Sequence, residues 1–244
     1  MSSDFNPLGS FAIDAPLNPK ALSAGIAFRH TLPVLPPNDV DRIYLHQSAE
    51  EYGCVDDAYH AVVRLDTAVA PDAWEIAPSH DVHDNARSTF SVTDYAEHTY
   101  CRNEGAVAIA LDGLIGAQVS PNDFGSEPIQ MHEVEFLCAG AAAFAVTFGI
   151  DTGGFSRSLG DARSRAYVGE PNILTHAEAA NLPGSPVQYA SYGPAPIGTV
   201  ERWDLATLIA APAGVLVTAT HASIVGIALR KRIHLYAAAM KGAR

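Results

Sequence analysis

The first half of the chain alternates short apolar runs with turn-forming residues, and the second half carries longer stretches of small residues. In "DRIYLHQSA" an apolar run between polar flanks predicts a buried strand over Arg42–His46. "AYHAVVRLD", residues 58–66, predicts a second strand from its β-branched residues and polar exit. "APDAWEIAPSHDVHD" predicts a return strand followed by loop, and the apolar "GAVAIALDGL", residues 105–114, predicts a central strand. "SEPIQMHEVEFLCAGAAAFAVTFGI" has the strongest helical pattern, with Ser126 as N-cap, Pro128 in the first turn, an Ala-rich body and a stop at Gly149. "THAEAANL" predicts a loop running into a short helical turn, and Ile224–Met240 a closing helix.

Residues 1–36, rich in Pro, Asn and Gly, predict an irregular N-terminal arm, and residues 37–244 a single α/β domain around a mixed sheet. The most apolar stretch, Leu205–Leu229, is broken by Pro212, Gly214 and His221, so it predicts a buried helix, loop and helix rather than a membrane span.

Composition narrows the function classes. With 48% apolar and 17% charged residues the chain is globular in character. A formal net charge of −12 and the lack of a basic stripe argue against nucleic acid as a partner. Three cysteines, Cys54, Cys101 and Cys138, outside any CxxC spacing argue for structural thiols and a reducing compartment. The first twenty residues lack the basic start and apolar core of a secretory signal, so a cytoplasmic location is expected until release, or a virion-associated one if the chain is phage-encoded. Stable membrane insertion is not expected, and a monomer is.

Ten histidines dominate the candidate chemistry. His46 ends a predicted buried strand, His176 stands at a loop–helix junction and Asp204 follows a long loop. Two imidazoles and a carboxylate suit catalytic zinc, because three protein ligands leave a fourth tetrahedral position for water. On spacing alone each histidine reads more readily as a hydrogen-bonded core residue than as a ligand. His60 reads as core, and His80 and His83, three apart among acids, as solvated loop residues.

"DRIYLHQSA", "DDAYHAVVRLD", "EHTYCRNEGAVAIALDGL", "LTHAEAA" and "RWDL" occur in the order found in zinc-dependent N-acetylmuramoyl-L-alanine amidases. The chain resembles this family, which includes phage T7-type lysozymes and peptidoglycan recognition proteins, over roughly residues 40–236. The resemblance implies a central mixed sheet flanked by helices, a zinc ion in a surface groove, and hydrolysis of the amide between N-acetylmuramic acid and L-alanine of peptidoglycan. Carried onto this chain, it implies His46, His176 and Asp204 as zinc ligands, Tyr59 beside the zinc-bound water, and Arg202 as an electrostatic stabiliser of the oxyanion. His98 is implied as a groove residue, and Glu178 is either a residue orienting His176 or a first-turn helix acid. The loops Pro183–Val200 and Phe155–Tyr167 are expected to rim the groove. One departure stands out: where some members carry a glutamate general base, this chain has Ala110, with Asp112 nearby on the same face by alternation. An endolysin-type amidase is therefore one expectation. The alternatives are a peptidoglycan- or muropeptide-binding module without cleavage, or a virion-associated protein on the same scaffold.

Overall fold

The computed structural model describes residues 5–48, 51–54, 56–66, 69, 73–99, 102–115, 123–154, 170–182 and 204–242. Among these residues the chain is a mixed α/β structure built on a five-stranded sheet. The strands are β1 (Arg42–Gln47), β2 (Ala61–Leu65), β3 (Trp74–Pro78), β4 (Ala106–Leu111) and β5 (Ile173–Thr175), in the spatial order β3-β2-β4-β1-β5. β1 runs parallel to β4 and β5, and β2 parallel to β4, while β3 closes one edge antiparallel to β2. All six residues of β1 and of β4 are buried; β4 is the continuous apolar run that the middle of a parallel sheet requires, while β1 carries Arg42, His46 and Gln47 on either side of an apolar centre.

Strand alternation gives the two faces different work. Ile43, Leu45, Val63, Val107, Ile109 and Leu111 belong to the large core shared with α1 (Pro19–Arg29), α2 (Met131–Phe148) and α4 (Ala219–Gly242). Tyr44, Ala106, Ala108 and Leu174 form a smaller cluster with Ala179 of α3 (His176–Asn181). By the same alternation His46 falls with Tyr44, away from the large core.

Helix α2 starts later than the sequence pattern predicts. Gln130, not Ser126, is the N-cap, in a capping box with Glu133, and Pro128 precedes the helix. Gly149, at φ 71°, ends it in the left-handed conformation, as expected. The Ala-rich body lets α2 lie close on the sheet: a Cβ on Gly140 would meet Ile109 Cδ1 at 2.4 Å.

Part of the segment expected to be an irregular arm is helix α1. Asn18 caps it by accepting from Lys20 and Ala21, and its Ala21 and Phe28 are buried in the core. Burial of a side chain such as Phe28 contributes about 1.5–3 kcal/mol. Arg232 of α4, itself 1% exposed, holds the chain ahead of α1 by donating to the carbonyls of Ile13, Ala15 and Pro16 while pairing with Glu135 of α2. Tyr236 donates to the same Glu135 and accepts from the Asn18 N–H.

Three further expectations change. The second strand starts at Ala61, so Tyr59 and His60 lie just ahead of it. "NILT" supplies the short strand β5 before the expected turn of helix. The stretch Leu205–Leu229 is turns and bends as far as Thr218 and then enters α4. Among the described residues α2 is the one helix long and apolar enough to cross a membrane by length and composition, and twelve of its residues are buried in the fold. Cys138 is a buried free thiol, and Cys101 lies outside the described residues.

Candidate metal centre

The parallel strands bring their carboxyl ends to one side of the sheet, where ligand sites in open α/β sheets form. His46 stands near the end of β1, and His176 is the first residue of α3, directly after β5. Thr175 ends β5 and caps α3 in a box with Glu178, so the strand-to-helix turn that presents His176 is fixed from both sides. Asp204 is tied to that turn by its carbonyl, which accepts from Ala177 N at 2.9 Å. Its Oδ1 accepts from Gln47 N at 2.8 Å, and Gln47 Oε1 accepts from Leu205 N at 3.5 Å.

These supports bring three side chains together. His46 Nδ1 lies 2.9 Å and His176 Nδ1 3.2 Å from Asp204 Oδ2, and the two rings are 4.7 Å apart between centroids. All three residues are buried, and their three candidate ligand atoms lie within 4.8 Å of one another. Burial holds the His46 imidazole below its usual pKa against the opposing pull of Asp204, so the ring is neutral near neutral pH, as a ligand must be. Burial also works against ionisation of Asp204, yet His46 and His176 outweigh it and keep the carboxylate below its usual range. His176 Nε2 is buried with no hydrogen-bond partner among the described residues.

No protein-family model, curated protein or solved structure matches the chain.

The donor set fits zinc. Two ring nitrogens and one carboxylate oxygen lie close enough to share one ion, and His46 Nε2 and Asp204 Oδ1 are held elsewhere by Thr99 and by the Gln47 N–H. His46, His176 and Asp204 would hold the ion, and the remaining coordination position is available for water or a substrate oxygen.

The neighbours differ from expectation in instructive ways. Tyr59 lies against His46, with centroids 5.1 Å apart, and its hydroxyl is 3.5 Å from the Gln47 carbonyl. His98 does reach the site's surroundings: it is buried, 5.9 Å from His46 between ring centroids, and linked to it through Thr99. Among the described residues Glu178 makes its hydrogen bonds to Thr175 and Arg230, and none to His176. It caps α3 and forms a bidentate pair with Arg230 of α4 at 2.7 and 2.9 Å. Arg202 and the loops Pro183–Val200 and Phe155–Tyr167 lie outside the described residues.

His60 is buried as expected, its Nδ1 accepting from Ala108 N, and burial lowers its pKa to about 3. His83 is exposed enough to pair with Asp81 in solvent, whereas His80 is more sheltered and lies 3.3 Å from Asp84. Ala110 pairs in register with His46 and is fully buried. Asp112 follows the end of β4 and turns away from the histidines: its Oδ2 accepts from Gly53 N, and its charged neighbours are Glu127 and Glu133. Burial pushes its carboxyl up to about 7.

Gln47, Asn85 and Thr99 are the residues that sequence reasoning missed. Gln47 directly follows the strand-end histidine and Thr99 directly follows His98, so adjacency was the one signal available. Asp204, His46 and Thr99 also stand in the order carboxylate–imidazole–hydroxyl. Thr99 is 1% exposed and its oxygen faces His98 as well as His46, so it supports the imidazole instead of meeting a substrate.

Proposed function

We propose that the chain is a zinc-dependent amidase of the N-acetylmuramoyl-L-alanine type, with the amidase-like fold that its five ordered motifs suggest. The observation that carries this reading is the convergence of His46 Nδ1, His176 Nδ1 and Asp204 Oδ2 at the carboxyl ends of parallel strands. A bound zinc ion supplies Lewis acidity, making water nucleophilic near neutral pH and drawing electron density from a substrate carbonyl. The chain's own residues do the rest. Asp204, fixed by the Gln47 N–H, and the neutral imidazole of His46 give the ion a preformed seat. Tyr59, half-buried beside His46, is placed to hydrogen-bond the attacking water or the carbonyl oxygen. Arg202, two positions before Asp204, supplies positive charge to the developing oxyanion in this reading.

A second reading, a peptidoglycan- or muropeptide-binding module on the same scaffold, draws support from Ala110. Its methyl group sits where an acid would serve as base, and Asp112 faces the start of α2.

The decisive experiment measures zinc per chain by elemental mass spectrometry, then newly exposed L-alanine amines on digestion of peptidoglycan. About one zinc per chain, lost in His176→Ala together with amine release, is the expected result. Zinc without amine release would favour the binding module, and a chain that takes up no zinc after supplementation would overturn the amidase reading.

A further inference from the structure

Behind His46 runs a chain of buried polar groups whose direction can be worked out from its two ends. Asn85 Nδ2 donates to the carbonyls of Ala96 at 3.2 Å and Asn103 at 3.1 Å, while its Oδ1 accepts from Ala96 N at 2.9 Å. Three bonds of consistent sense fix the orientation of this amide and commit both of its hydrogens. His98 Nε2 lies 3.4 Å from Asn85 Nδ2. A ring N–H there would set donor against donor, so the bare ring nitrogen faces the amide and His98 carries its proton on Nδ1.

The near end fixes the rest. The Asp204 carboxylate can only accept, so neutral His46 carries its proton on Nδ1 and donates it to Asp204 Oδ2 at 2.9 Å. His98 Nδ1–H donates to Thr99 Oγ1 at 3.0 Å, and the Thr99 hydroxyl donates to the bare His46 Nε2 at 3.2 Å. Thr99 itself is held by its N–H, which donates to Asn103 Oδ1 at 2.8 Å. His46, Asn85, His98 and Thr99 are all buried, so water does not readily replace any link.

We propose that Asn85, His98 and Thr99 set the tautomer of metal-free His46, and that zinc ligation at His46 Nδ1 turns over His46 alone while Asn85 holds His98 in place. The second half rests on the metal reading above; the first does not. A metal at Nδ1 needs the lone pair there, so the His46 proton must stand on Nε2 and donate to Thr99. Thr99 Oγ1, with two lone pairs, then accepts from both rings, because the committed Asn85 amide leaves a His98 Nε2–H no acceptor. Proton number is conserved: His46 gives up the hydrogen on Nδ1 and gains one on Nε2, and His98 keeps its own on Nδ1. Thr99 and His98 are thus positioning residues for a ligand they never share.

Long-range 1H–15N spectra of the full chain, labelled at histidine, read each tautomer directly from its pyrrole-like and pyridine-like nitrogens. In the metal-free protein both His46 and His98 are expected as Nδ1–H. An Nε2–H form at either ring would overturn the proposal, whether or not zinc binds. Adding zinc alone should move the His46 proton to Nε2 and leave His98 as Nδ1–H. A His98 that turns to Nε2–H as His46 takes up zinc would also overturn it. Thr99→Ser should preserve both states, and Thr99→Val, which leaves the His46 Nε2–H without an acceptor, should weaken zinc uptake; wild-type uptake by the valine variant would remove Thr99 from the hydrogen-bonded chain. Should the wild type bind no zinc, the amidase reading fails, and the metal-free spectra still decide which way the chain points.

Discussion

His46 and Asp204, separated by 158 positions in the chain, meet at 2.9 Å between Nδ1 and Oδ2 in a buried site. The contact is held from both ends, because the carboxylate's other oxygen accepts from the residue after His46. Asp204→Asn keeps an acceptor for Gln47 N but replaces the ligand oxygen by a poorer donor set. Zinc content should drop from about one per chain to a small fraction, with far-UV circular dichroism unchanged. Zinc bound at wild-type affinity by this variant would remove Asp204 from the ligand set.

Tyr59 touches His46 through its ring and reaches the Gln47 carbonyl through its hydroxyl. Tyr59→Phe retains the ring contact. Turnover on peptidoglycan should fall roughly a hundredfold if the hydroxyl takes part in proton transfer or holds the oxyanion. Zinc stoichiometry should stay the same. Wild-type turnover would assign Tyr59 to packing alone.

Gly226 makes room for the Glu178–Arg230 pair: a Cβ at this position would meet Glu178 Oε2 at 1.9 Å. Burial raises the Glu178 pKa, and Arg230 is the main influence opposing it. Gly226→Ala should therefore push the carboxylate from its partner and destabilise the fold by about 1–3 kcal/mol, read by urea unfolding. Because Glu178 also caps α3, the loss should weaken zinc binding at His176. An alanine variant as stable as the wild type would show that α4 can shift at no cost.

Asp112 gives a pH dependence of defined sign. The unfolded chain releases this proton near 3.8, while the folded chain holds it to about 7. Folding therefore takes up a proton in that window, and this group's contribution to stability is present at low pH and lost as pH rises towards 7. Asp112→Asn does not titrate and can still accept from Gly53 N. Its stability relative to wild type should increase between pH 4 and pH 7.5, at most by about 1.4 kcal/mol per pH unit. Urea unfolding at the two ends of the range tests this, and a difference independent of pH would place Asp112 in solvent.

The central strands and the body of α2 were legible in the sequence because burial leaves apolar runs, three residues long in β1, six in β4 and longer in the body of α2. The pattern failed where polar bonds outside the segment decide its structure. Helix α1 has a weak apolar stripe of its own, and it forms under an Asn18 cap and the Arg232–Glu135 clamp, whose parts come from distant positions. Strand β5 has three residues, too few for any periodicity, and exists by pairing with β1. In the candidate site the three residues that meet were named from motif order alone. Their supports were not, since nothing in "HQS" or "EHTY" tells which neighbour turns inward. Asp112 shows the opposite error: alternation assigns it to the histidine face only if the strand continues, and β4 ends one residue earlier.

The Arg232–Glu135 clamp also orders events at the ribosome. The carbonyls of Ile13, Ala15 and Pro16 emerge early and Glu135 midway, but their common partner lies within the last helix described. At a synthesis rate of about 5–20 residues per second, the first segment waits on the order of ten seconds or more for Arg232. Nascent chains should therefore stay sensitive to protease ahead of α1 until α4 is free of the exit tunnel.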